Sequence, residues 1–140
     1  MSCVFCSIVA GELPAHIVLD EPQIIGFLDT RPVFKGHVLL VPREHVKTLL
    51  ELSSTLREPV FEAAQRLAAA VVEGLGAQGS LVAMNNVVSQ SVPHLHVHVV
   101  PRTKGDGLRG FFWPRTKYAS DAEATEYAGR LAGALAPGVR

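Results

Sequence analysis

At 140 residues the chain suits one domain, long enough to bury a real core without disulfides. Lys plus Arg and Asp plus Glu stand at 13 each, so the overall balance carries no nucleic-acid or membrane signal. There is no run of 18 apolar residues and no cationic leader, which leaves a membrane span and a signal peptide unsupported, and two cysteines alone fit a reduced, cytoplasmic protein.

Cys3-Val4-Phe5-Cys6 admits three readings: a redox pair, half of a zinc site, or two small buried hydrophobes. A redox motif should follow a strand and open a helix within a βαβ pattern, which this pair does not do. Two thiolates at this spacing suit zinc, but a tetrahedral site needs two more ligands. His16 to Asp20 and Gln23 to Asp29 are β-branched runs split by Glu21-Pro22 and predict a hairpin. Thr30 to Gly36 is a loop, and His37 to Pro42 a buried strand. Thr55-Leu56-Arg57-Glu58 has the form of a capping box, and Val60, Ala63, Ala64, Leu67 and Val71 follow at helical spacing until Gly74 and Gly76. Pro59 is expected near the start of that helix, where a missing backbone donor matters least. Ser80 to Asn86 returns as a strand and leads through Val87-Val88-Ser89 to Gln90.

The densest chemistry lies in Pro93-His94-Leu95-His96-Val97-His98-Val99-Val100-Pro101, which holds three of the six histidines at i, i+2 and i+4. On a strand these imidazoles share one face, while Leu95, Val97 and Val99 share the other. Such a row suits a metal site or nucleophilic catalysis; a solvent-facing polar row is the bland alternative. Beyond it, Arg102 to Arg115 mixes basic residues, glycines and Phe111-Phe112-Trp113. Its setting favours a segment closing over a cleft or a dimer interface over nucleic-acid binding. Ser120-Asp121-Ala122-Glu123 caps a last helix with Ala124, Tyr127, Ala128, Leu131 and Leu135 on one face, and Pro137-Gly138 stops it. Antiparallel strands with an inserted and a terminal helix give an α+β class, a sheet of about five strands with helices packed on it.

Gln90-Ser91-Val92-Pro93 followed by His-φ-His-φ-His-φ-φ, where φ is apolar, strongly resembles the histidine triad (HIT) family of nucleotide hydrolases and transferases. Phe27-Leu28-Asp29, a loop, then Lys35-Gly36-His37 and a strand ending Pro42-Arg43 extend the resemblance over most of the chain. It implies the HIT fold over residues 1–140 as a single domain, and a homodimer whose strands extend across the interface. It implies that His96 attacks phosphorus, with His98 and His37 at the nonbridging oxygens. Ser91 and Gln90 would donate to the bridging or leaving oxygen. Asp29 would hold ribose hydroxyls, and Ile24 or Phe27 would flank the base; Asn85 joins Gln90 among the nucleotide-binding positions. Read without the family, Asp29 is a turn-capping residue and His37 a satisfied strand-end histidine. Many microbial members also open with Cys-x-x-Cys and complete a zinc site with two histidines. Here the four ligands would be Cys3, Cys6, His45 and His94, a structural Zn²⁺, with no organic cofactor. One departure stands out: the loop from Asn85 to Gln90 is shorter and more apolar than in many members, with Ser89 in the usual glycine position.

The expected activity is transfer of a nucleotidyl group to water through a nucleotidyl-histidine. The substrate would be a purine nucleotide conjugate such as a nucleoside phosphoramidate or a dinucleoside polyphosphate. Two rivals remain: a non-catalytic nucleotide-binding sensor or scaffold, and a metal-dependent hydrolase with His94, His96 and His98 as ligands.

Overall fold

The structure, a computed structural model, describes residues 3–108 and 115–135. Its contacts separate into two compact units, residues 1–106 and 107–140. Among the described residues no helix is long and apolar enough to cross a membrane.

In the first unit, β1 (Ile17–Asp20), β2 (Ile24–Leu28), β3 (Val38–Pro42), β4 (Gly79–Ala83) and β5 (Val97–Arg102) form one sheet in the order β1-β2-β3-β5-β4. Every pairing is antiparallel. With α1 (Val4–Val9), α2 (Ser54–Leu75) and α3 (Asp121–Ala134), this is the expected α+β class. The expected hairpin is β1–β2. β5, which carries the end of the triad segment, is last of the five in chain order yet lies between β3 and β4, so β3 and β5 pair across a long excursion that contains α2.

Period-two alternation sorts the sheet's side chains onto two faces. Ile24, Val38, Leu40, Val97 and Val99 face α2 and meet its Leu56, Val60, Ala63, Ala64, Leu67 and Val71. Ile25, Phe27, Leu39 and Val41 point the other way and are covered by Phe5 of α1. Burying a Leu or Val of the α2 stripe is worth about 1.5–3 kcal/mol each, so α2 is held by its apolar face far more than by its caps. Gly26 of β2 lies on the α2 side, where an added Cβ would already touch Leu19 and Leu67, so the strand and α2 approach closely there.

The helix boundaries differ from the expected ones. The N-cap of α2 is Ser53, with no side-chain capping bond; its hydroxyl lies 3.0 Å from that of Thr55. Thr55 is already helical, so the Thr55–Glu58 capping box does not form. Pro59 sits inside the helix as its sixth residue, where it removes the hydrogen bond that a donor there would give to the Thr55 carbonyl. Gly76 ends α2 with φ +74° in the left-handed region, while Gly74 stays helical. At α3 the expectation holds: Ser120 accepts the Glu123 N–H at 3.1 Å and Glu123 accepts from Ala119 at 2.6 Å. No residue of α3 is buried, and Leu131 and Leu135 are exposed. Phe111, Phe112, Trp113, Pro137 and Gly138 lie outside the described residues.

Candidate active site and metal centre

The triad is less regular than a strand, yet it keeps a strand's alternation. Only His98 lies in β5; His94 and His96 precede it in irregular chain, so the strand begins at Val97 and not at Pro93. The Leu95 N–H donates to the Val46 carbonyl at 2.7 Å, which holds the segment extended although no sheet ladder reaches it. Leu95 therefore drops into the α2 core with Val97 and Val99, while the three imidazoles stay on the opposite face.

Each triad ring has its tautomer set by a group that can play only one role. The Nδ1–H of His96 donates to the His94 carbonyl at 2.8 Å, since a carbonyl only accepts. The lone pair of neutral His96 is thereby placed on Nε2. His94 donates from Nε2 to the Pro42 carbonyl at 2.8 Å, leaving its Nδ1 lone pair facing the cysteines. His37 accepts the Val33 N–H at Nδ1 (3.1 Å), so its proton is on Nε2, which donates to His98 Nδ1 at 2.9 Å. His98 in turn must carry its proton on Nε2. One histidine thus presents a lone pair and its neighbour, 4.9 Å away between ring centres, presents a donor.

Burial favours the neutral form of His37, His94 and His98. Burial pushes the His98 imidazolium down to about 4, with His96 and His37 adding to the effect and Asp29 opposing it. Burial likewise lowers His37, against the pull of Asp29. His94 is lowered by burial as well, more than its hydrogen bond to Pro42 raises it. Asp29 lies at the end of β2, its Oδ1 accepting the Arg31 N–H at 2.9 Å in a turn. Its Oδ2 is 3.8 Å from His37 Nδ1, but that nitrogen's lone pair is occupied by Val33, so the two form no ion pair.

Beside His94, a second constellation is assembled from three distant pieces of chain. Cys3 caps α1 by accepting the Cys6 N–H on sulfur, which turns both thiols to one side. Cys6 Sγ lies 3.2 Å from His45 Nδ1, and Cys3 and Cys6 Sγ lie 3.5 and 3.6 Å from His94 Nδ1. The two imidazole nitrogens are 3.2 Å apart. A tetrahedral ion with metal–sulfur and metal–nitrogen bonds of about 2.3 and about 2.0 Å sets sulfur–nitrogen pairs about 3.5 Å and nitrogen pairs about 3.3 Å apart. The four donors fit zinc in number, type and spacing, and the Pro42 carbonyl supplies the outer hydrogen bond that orients a ligating histidine. Burial and the adjacent Cys3 thiol push the Cys6 thiol up. A further cation-sized group joins Asp29, His37 and His98. Neither group contains His96, and His94 faces the cysteines, so the three triad imidazoles do not converge as ligands of one ion.

The remaining expected residues separate. Phe27 is on the triad face, packed edge-on against Phe5 at 5.4 Å between ring centres. Ile24 is 1 % exposed in the α2 core, on the face away from the triad, and is in no position to flank a base bound there. Ser91 and Asn85 are exposed, and the Asn85 amide donates to the Ser89 carbonyl at 3.2 Å. Gln90 accepts the Val87 N–H at 2.9 Å and donates to the Lys47 carbonyl at 2.6 Å, so its amide buckles two loops together. Ser89, at the usual glycine position, has φ +63°, and Val87 has φ +73°, left-handed conformations that strain a side chain. Sequence reasoning missed Phe5, whose ring stands 5.1 Å from that of His96. An aromatic residue between two ligand-type cysteines was the available signal.

The HIT domain model matches residues 10–105. The "Protein hit" of Bacillus subtilis is 36 % identical over 115 residues, covering 80 % of this chain and 79 % of the relative. The adenosine 5'-monophosphoramidase hnt1 of Schizosaccharomyces pombe is 32 % identical over 116 residues, covering 81 % and 84 %. Among solved structures, a zinc-bound histidine triad family protein from Mycobacterium smegmatis superposes with a TM-score of 0.74 at 35 % identity, covering 96 % of this chain and 98 % of that one. Fold and triad together define a histidine triad protein. The chain belongs to the HIT family.

Proposed function

We propose that this protein is a nucleotidyl hydrolase that cleaves a nucleoside phosphoramidate or a dinucleoside polyphosphate at the α-phosphorus, through a nucleotidyl intermediate on His96. The observation that carries this reading is the hydrogen bond from His96 Nδ1–H to the His94 carbonyl, which reserves the Nε2 lone pair for attack. In the first step Nε2 bonds to phosphorus in line with the leaving group, which departs with the electrons of the broken bond. Water then attacks phosphorus, breaks the phosphorus–nitrogen bond, releases the nucleoside monophosphate and restores the lone pair. Splitting one displacement into two easier ones is the gain of a covalent route.

His98 acts as a donor to a nonbridging oxygen, because His37 occupies its Nδ1 and leaves Nε2–H for the substrate. Ser91 is assigned to the leaving group and Asp29 to the ribose, with Phe27 toward the base; Asn85 and Gln90 shape the loop that carries Ser91. Cys3, Cys6, His45 and His94 would hold a structural Zn²⁺ that fixes α1 and the His94 backbone. Residues 1–140 are read as one HIT domain, supported by the solved relative that covers 96 % of the chain. The protein is read as a cytoplasmic homodimer.

Adenosine phosphoramidates and diadenosine polyphosphates offered side by side test the substrate class. Turnover of neither, with tight nucleotide binding, would favour the sensor reading. We favour the phosphoramidate, since a relative of 32 % identity is named as a phosphoramidase.

A further inference from the structure

We infer that Phe5 is a positioning residue for His96: its ring fixes the aim of the Nε2 lone pair and ties it to the cysteine-bearing helix. This rests on the reading of His96 as the nucleophile.

Phe5 is 5 % exposed and lies between the two constellations. Its ring centre is 5.1 Å from that of His96 at 83°, 5.9 Å from that of His94 at 72°, and 5.4 Å from that of Phe27 at 66°. All three are edge-to-face arrangements, the preferred geometry for aromatic pairs. Among the described residues the His96 imidazole has one hydrogen bond, to the His94 carbonyl, and a single bond leaves a ring free to tilt about it. The rings of Phe5 and His98 pack edge to face against it, at 5.1 and 4.9 Å between ring centres. Removing the Phe5 ring takes away the α1 contact that opposes a tilt or a flip exchanging Nδ1 and Nε2. Attack in line demands reacting atoms about 3–3.5 Å apart with the lone pair aligned, so a small tilt is expensive in rate.

The placement of Phe5 depends on the metal-type cluster. α1 is six residues long; Cys3, its N-cap, reaches His94, and Cys6 reaches both His94 and His45. Anything that draws the thiols out of that cluster moves the helix that carries Phe5. The Cys-Val-Phe-Cys segment therefore does two things: its thiols anchor the helix, and its aromatic residue aims the nucleophile.

The test compares Phe5→Leu and Phe5→Met, which keep apolar bulk and lose the ring, with Ile8→Ala, which loosens the same helix where it packs against the sheet. All are measured as holoprotein for kcat, KM, zinc content and Tm, with ¹⁵N imidazole spectra of His96. Both Phe5 variants should lose on the order of 10²-fold in kcat with KM nearly unchanged. Their His96 spectra should shift from one tautomer to a mixture, while Ile8→Ala lowers Tm and keeps kcat and the single tautomer. Unchanged kcat in the Phe5 variants overturns the inference. So does loss of fold in both, or an equal kcat loss in Ile8→Ala, since either makes the role merely structural. His96→Asn in parallel separates the two readings: if it turns over, the nucleophile itself is misassigned, whereas an inactive His96→Asn beside a fully active Phe5→Leu refutes only the role of Phe5.

Discussion

Replacing His37 by Leu removes the one donor that sets the tautomer of His98, and the structure bounds the consequence. In the native chain the His37 Nε2–H reaches His98 Nδ1 at 2.9 Å, and the Val33 N–H fills the other side of His37 at 3.1 Å. Without it, His98 Nδ1 faces an apolar side chain. Leaving that acceptor unpaired costs about 1–3 kcal/mol, a factor of roughly 5–150 in the population that keeps its proton on Nε2. The ceiling is the loss of one transition-state donor, on the order of 10²–10³-fold. We therefore expect kcat to fall by about 10–100-fold with KM little changed, the pattern of an interaction felt in the transition state. Steady-state kinetics on the phosphoramidate and ¹⁵N spectra of His98 read the two halves. A kcat within about twofold of the native value, with the His98 tautomer unaltered, would refute the relay from Val33 through His37 to His98.

Protein purified without chelator should carry about one zinc per chain, and strong chelation should lower Tm. Freely reactive thiols in metal-free native protein would remove Cys6 and His45 from the site. Leu67→Ala, in the middle of the α2 stripe, should destabilise by about 2–5 kcal/mol in denaturant titrations while leaving kcat of the folded protein intact. Stability should fall as pH drops from about 6.5 to about 4, because His98 titrates near 4 when folded and near 6.5 when unfolded, so the unfolded chain takes up more protons in that window. The lowered His37 and His94 act in the same sense, and a rise in unfolding midpoint on acidification would contradict all three.

Much of this architecture is legible in local sequence. The β-branched runs around Glu21-Pro22 give the hairpin, and the 3.6-residue stripe from Val60 to Val71 gives α2, because burial of one face dominates both. The triad's alternation predicts which residues share a face, even though pairing starts only at Val97, since the Val46 carbonyl extends the chain without a ladder. The same period-two rule separates Ile24 from Phe27: three residues apart on one strand, they point to opposite faces, so only Phe27 reaches the triad side. Helix starts are less legible, because Ser53, Ser54 and Thr55 all suit an N-cap and the chain's path into α2 decides among them. The tautomers were out of reach. They depend on the carbonyls of His94 and Pro42 and the N–H of Val33, backbone groups whose identity no side-chain pattern encodes.

The central claim is that His96 carries the nucleotidyl group, and it is open to direct chemical capture. Substrate labelled in its α-phosphoryl group is mixed with the protein and quenched in alkali, where a phosphorus–nitrogen bond to imidazole survives. Label should remain on the chain, map to the peptide containing His96, and vanish in His96→Asn while nucleotide binding persists. Label on Ser91, or full turnover by His96→Asn, would contradict the mechanism.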